Sequence, residues 1–171
     1  IVSGLEVVRS LDQAEQVRRQ TDLATAAIGP SGLITALQNE RNFTGLWLLG
    51  ADDLVDLPVS DMTEARNATD AAREAFAAEI EDKGAEVARI YGPALATLDE
   101  IAGLRAAVDA YDGPQVVTEF NQVAEDSFLG YTDLVSALSD RNREVITEVE
   151  DHELRRGVQL IDLSSREVDA I

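Results

Sequence analysis

The sequence predicts an all-α fold, an elongated up-and-down bundle of four-helix-bundle type, from three observations. Apolar residues recur at a helical period in nearly every segment, no stretch alternates apolar with polar in strand fashion, and proline occurs only four times. The chain has 171 residues, 45% of them hydrophobic, enough for one core of ordinary size. Residues 1–171 are therefore read as a single domain.

The first predicted helix covers 4–28. Its seven-residue seam through Val7, Leu11, Ala14, Arg18, Thr21, Thr25 and Ile28 mixes apolar with polar residues, which suits a subunit contact better than a deep core. Gly29-Pro30-Ser31-Gly32 interrupts the chain before a second helix, which starts at about Ser31 and ends at Gly50. A loop with Asp52, Asp53, Asp56 and Pro58 leads to Ser60, the expected N-cap of a third helix. That helix presents Ala65, Thr69, Ala72, Phe76 and Ile80 on one face and stops at Lys83-Gly84. Residues 85–110 are helical with an expected irregularity at Gly92-Pro93, so two elements fit this span before the Asp112-Gly113-Pro114 turn. Residues 115–139 form the cleanest amphipathic helix, with Tyr131, Leu134, Val135 and Leu138 on one side and Ser127 as a small polar exception. Residues 140–171 are expected to form one long last helix, about 45 Å at 1.5 Å per residue.

Composition excludes several functions. Thirty-three acidic residues against fourteen basic ones give a net charge of −19, which opposes nucleic acid and anionic lipid as partners. The absence of cysteine rules out disulfides, thiolate catalysis and cysteine-ligated metals. The longest strongly apolar run, LWLLGA, is far shorter than the roughly 18 residues of a spanning helix. The chain opens without an initiator methionine and stops inside a helical pattern, so flanking segments are expected, as in the soluble part of a membrane protein.

The main anomaly is cationic. On a helical wheel Leu33, Leu37, Thr44 and Leu48 fall within about 60° of one another, with Arg41 and Ile34 beside them. Arg105 likewise sits between Leu98 and Ile101, and Arg156 shares a face with Val145, Val149, Leu160 and Leu163. Arg66 and Arg73 lie at the border of their apolar face, where a long side chain can reach water. An inward guanidinium keeps its charge and must meet a carboxylate, carbonyls or a bound anion. Two readings stay open. Each arginine forms a buried ion pair, with Asp109 near Arg105 and Glu153 or Glu167 near Arg156 as partners, or several guanidiniums converge on a small oxyanion.

The segment Leu37-Gln38-Asn39-Glu40-Arg41 resembles the LQxER signature of the nitrate- and nitrite-sensing (NIT) domain family, with Asn42 where that family often has glycine. Ala65-Arg66 with Thr69-Asp70, Leu104-Arg105 with Val108-Asp109, and Tyr131 with Leu134 and Leu138 are similar to its later helices. The resemblance implies an all-helical, commonly extracytoplasmic sensor domain attached to histidine kinases, chemoreceptors or cyclases, and in some members to cytoplasmic RNA-binding antiterminators. Its implied ligand is nitrate or nitrite. The LQxER arginine falls on Arg41 and the LR arginine on Arg105; a third, C-terminal arginine corresponds to Arg155, Arg156 or Arg166.

Other signals are weaker. His152 is the only histidine and no ExxH pair accompanies it, so neither a metal site nor a nucleophile and base pair is expected. Trp47 and Phe43 could wall a pocket or pack in a core or dimer contact. The expected function is thus a non-enzymatic ligand-binding sensor domain without cofactor, in a homodimeric, membrane-anchored bacterial signalling protein of the inner membrane. Its ligand contacts would be Arg41, Arg105, Arg156, Arg66 and Trp47, with nitrate or nitrite as the anion. The alternatives are another small oxyanion or carboxylate as ligand, or a ligand-free dimerisation or protein-interaction module.

Overall fold

The computed structural model describes residues 4–48, 59–111 and 117–167, where all regular structure is helical. α1 spans Gly4–Ala26, α2 Pro30–Leu48, α3 Val59–Asp82, α4 Ala85–Thr97, α5 Ile101–Asp109, α6 Val117–Glu148 and α7 His152–Glu167. A 3-10 turn at Leu98–Glu100 joins α4 to α5. None of the described helices is long and apolar enough to cross a membrane.

α2 is the central rod. Its buried residues run from Ala36 through Glu40, Leu33, Leu37 and Arg41 to Gln38, an arc of about 200° at 100° per residue. A helix buried over so wide an arc needs neighbours on two sides, and α3 and α6 supply them. Leu33, Leu37, Ile90, Tyr91, Leu134 and Leu138 are fully buried at the centre. Phe76 meets Tyr91 edge to face at 5.1 Å between ring centroids.

Local signals place the breaks. Pro30 opens α2, where its missing N–H would have no helical acceptor anyway. Gly84 ends the α3 segment at φ 92°, a left-handed conformation that side chains resist. α3 starts at Val59, one residue before the expected Ser60 cap. The calls on Gly50, on the Asp52 to Pro58 loop and on Asp112-Gly113-Pro114 lie outside the described residues.

Two expectations are corrected. Gly92-Pro93 does not interrupt the chain: α4 runs through Pro93, held by the burial of Ile90, Tyr91 and Ala94, and the irregularity falls at Leu98–Glu100. The last helix is also not the long one. α6 continues to Glu148, and the break comes at 149–151 instead of 139. Ser139, Asn142, Val145, Ile146 and Val149 continue the inward face of α6, so nothing at 140 favours a stop. The stop signal is Asp151, whose Oδ1 accepts from the backbone N–H groups of Glu153 and Leu154, each at 3.0 Å, capping α7.

Two features fix the later helices. A Cβ on Gly130 of α6 would lie 2.5 Å from Cδ2 of Leu104, so the missing side chain lets α5 settle closely on α6. Lower in the bundle, the Tyr91 hydroxyl donates to Asn142 Oδ1 at 2.8 Å, and Asn142 Nδ2 donates to Asp162 of α7 at 2.8 Å. This buried chain ties α4, α6 and α7 together.

Candidate functional site

The charge in the core is organised around Glu40, whose side chain has no solvent exposure. Arg105 of α5 grips it with a fork, Nε to Oε1 at 2.7 Å and Nη2 to Oε2 at 3.0 Å. The Tyr131 hydroxyl of α6 donates to Oε1 at 2.7 Å, and the Thr69 hydroxyl of α3, which donates to the Ala65 carbonyl at 3.1 Å, lies beside the carboxylate. One acid on α2 thereby joins α3, α5 and α6. Arg105 spends its remaining donors on Asp70 at 2.9 Å and on the Arg66 carbonyl at 3.1 Å.

Burial pushes the Glu40 carboxyl up, and hydrogen bonds from Arg105, Thr69 and Tyr131 with the Arg105 charge more than reverse this, leaving it below the usual carboxylate range. The bond to Glu40 raises Arg105 despite its desolvation. Burial, then the neighbouring Glu40 charge, raises the Tyr131 hydroxyl. All three effects keep Glu40 ionised and Tyr131 protonated at neutral pH.

Arg41 follows Glu40 in sequence and so points about 100° further round α2. It is buried, and its guanidinium carbon lies 4.7 Å from the centroid of the Phe128 ring. Nη1 is 3.4 Å from the Thr132 hydroxyl. Beside it, between α2 and α6, is a cavity of about 170 Å³ lined by Arg41, Thr44, Leu48, Ser127, Phe128 and Tyr131, with Gly45 and Ala124. At about 30 Å³ of liquid volume per water molecule, this space suits a ligand of a few heavy atoms. Its walls are largely apolar, the hydroxyls of Thr44 and Ser127 offer donors, and Arg41 supplies the positive charge.

The structure therefore separates the arginines that the sequence grouped. Arg41 lines the cavity, whereas Arg105 is not among its lining residues and is committed to Glu40 and Asp70. Arg105 pairs with Glu40 and Asp70 in place of Asp109; Asp109 takes Nη1 of Arg66 at 2.9 Å, and Nε and Nη2 of Arg66 are buried without an acceptor. Arg156 is exposed, a correction to its inward placement. The inward positions of α7 are Val158 and Asp162, because Leu160 and Leu163 face solvent. Arg155, one residue earlier, is half-buried, with Nε on the Val149 carbonyl at 2.6 Å. Trp47 is half-buried and is not among the lining residues. His152 is exposed, and no group of three or more metal-ligating side chains occurs among the described residues.

The family model for nitrate and nitrite sensing (NIT) matches residues 32–165. The chain belongs to the NIT family. This match begins at the start of α2 and ends within α7, so Glu40, Arg41, Arg105 and Tyr131 all fall inside it. No curated protein and no solved structure matches the chain. The NIT family is one of sensor domains, in agreement with a fold that places an arginine beside a small cavity.

Glu40 is the residue the sequence reading passed over. It follows the apolar face of α2 as closely as Arg41 does, and an inward arginine calls for an acid from some helix. Helical periodicity points to acids on the arginine's own helix, such as Asp109 for Arg105, whereas the partner of Arg105 comes from α2.

Proposed function

We propose that this NIT domain is a sensor that binds nitrate or nitrite in the cavity between α2 and α6. Arg41 is the cationic contact, and Thr44 and Ser127 are supporting donors. The observation that carries this reading is the position of the LQxER arginine on the wall of a small, mostly apolar cavity. A planar oxyanion accepts forked, charge-assisted bonds from a guanidinium, and low-dielectric walls strengthen them. In this reading Arg105 holds Glu40, and thereby the helix that carries Arg41, rather than touching the ligand. Arg66, Arg156 and Trp47 have no ligand contact in it.

Binding can drive signalling only through different affinities for two arrangements of the helices. The anion would draw α6 toward α2, and the shift would pass through the α6–α7 junction to an output domain. Placement outside the cytoplasm, in a membrane-anchored receptor such as a histidine kinase, completes the proposal and rests on the habit of the family.

One observation favours a ligand-free scaffold: Arg105, one of the two inward arginines, does face an internal acid. Thermal unfolding with nitrate, nitrite, chloride and sulfate separates the readings. Nitrate at about 100 times its Kd adds about 2.7 kcal/mol of stability, and Arg41→Ala abolishes this gain. A midpoint equally indifferent to all four anions would remove the sensor reading.

A further inference from the structure

The cavity between α2 and α6 is sparing with both charge and donors. Among its lining residues Arg41 alone is charged, so the wall offers at most one positive charge. The Tyr131 hydroxyl, although its ring lines the space, is given to Glu40 at 2.7 Å. Donors for a ligand therefore come from only three side chains, Arg41, Thr44 and Ser127. Thr44 is 1% exposed and its Oγ1 has no hydrogen-bond partner, so one buried hydroxyl of this wall is unsatisfied within the chain. The rest of the wall, with Leu48, Ala124 and Phe128, is apolar.

Such a wall discriminates first by charge. The cost of taking an ion out of water rises with the square of its charge, whereas its attraction to one guanidinium rises only in proportion. A dianion thus costs about four times as much for about twice the gain. Behind Tyr131, moreover, the linked cluster of Glu40, Asp70 and Arg105 holds two acids against one arginine. The whole chain carries −19. Both fields oppose a second negative charge in the cavity.

Hydration is the second filter. An entering ion surrenders most of its water and recovers only the bonds that three side chains can make. Ions that hold water tightly, such as formate, acetate and sulfate, lose more than this wall returns, whereas ions of diffuse charge lose little.

We propose that the cavity selects its ligand by charge and hydration rather than by shape: it takes singly charged, weakly hydrated anions, the class of nitrate, thiocyanate and perchlorate, and refuses dianions and small carboxylates. The proposal rests on the anion-sensor reading and narrows it. Nitrate ranks above nitrite, whose charge is spread over fewer oxygens and is held more firmly by water.

The test is isothermal titration at one ionic strength with anions matched in shape. Perchlorate and sulfate are both tetrahedral; nitrate and formate are both planar. Perchlorate and thiocyanate are expected to bind within about tenfold of nitrate despite their different shapes, and nitrite more weakly than nitrate. Sulfate and formate bind at least about a hundredfold more weakly than the matched anion. Arg41→Ala abolishes the heats, which separates binding at this site from general salt effects. Gly45 gives a second measurement, because it lines the cavity and a Cβ there meets nothing within 4 Å. Gly45→Ser adds a donor and raises nitrite relative to nitrate at least about threefold over Gly45→Ala, which adds bulk alone. Heats absent for every anion would sink the sensor reading and this inference with it. Nitrate binding accompanied by sulfate or formate within about tenfold, nitrate binding without perchlorate and thiocyanate, or an unmoved nitrite-to-nitrate ratio in Gly45→Ser would overturn this inference alone.

Discussion

Arg105→Ala tests the central ion pair most directly. It leaves the Glu40 carboxylate fully buried with only the Tyr131 and Thr69 hydroxyls for company. Removing one partner of a buried pair costs about 3–5 kcal/mol, because the remaining charge is uncompensated. The lower end applies, since Arg105 keeps 17% exposure and its second acid, Asp70, is half exposed and stays hydrated. A loss of about 3 kcal/mol corresponds to a fall in melting temperature of about 6–12 °C for a chain of this size.

The pH dependence carries the sharper signature. In the native protein the Glu40 carboxyl titrates below its unfolded value, so its contribution is fully present above about pH 4.3 and is lost only as pH falls through the folded value. Without Arg105, burial dominates and the folded value rises above the unfolded one. The folded variant then binds a proton that the unfolded chain does not, and its deficit shrinks as pH is lowered from about 7.5 to about 5, by up to about 1.4 kcal/mol per unit. Urea unfolding at the two pH values measures this. Glu40→Gln is the control, since Arg105 keeps Asp70 and does not titrate, so its deficit stays constant. A deficit for Arg105→Ala below about 1 kcal/mol, or one unchanged between the two pH values, would refute the argument.

Three further outcomes follow from single contacts. Asp151→Ala removes the α7 cap and costs about 1 kcal/mol, with faster amide exchange confined to the first turn of α7; unchanged exchange there would exclude the capping role. Gly130→Ala places a Cβ against Leu104 and costs about 1–3 kcal/mol by overpacking, and adding Leu104→Ala recovers part of the loss. Tyr131→Phe keeps the ring but removes a donor to a charged acceptor, a loss of about 1.5–3 kcal/mol read by urea unfolding.

The fold was legible because its signals are local. The inward faces of α2 and α3, the stop at Gly84 and the breaker at Pro30 each depend on residues within a turn or two of one another. The end of α6 was misplaced because the polar Ser139 and Asn142 look like a surface but are buried. The partners of Asn142, Tyr91 and Asp162, come from other helices. The site was half legible for the same reason. That Arg41 and Arg105 point inward could be read from a wheel, but which of them meets Glu40 and which meets a cavity depends on how α5 and α6 dock on α2. Arg156 failed because the wheel took Leu160 and Leu163 as core, and apolar residues alone do not say whether a face is covered by the same chain.

The Asn142 amide has a consequence for how α7 can travel. Sliding α7 along α6 by one turn, about 5.4 Å, would replace Asp162 with the apolar Val158 at that amide. That register, and any offset short of it, leaves the buried amide without its acceptor. Axial displacement of α7 is therefore opposed in that direction from the first fraction of a turn: the observed register is the one that satisfies the amide, so whatever slides the helix must supply the free energy of breaking that bond.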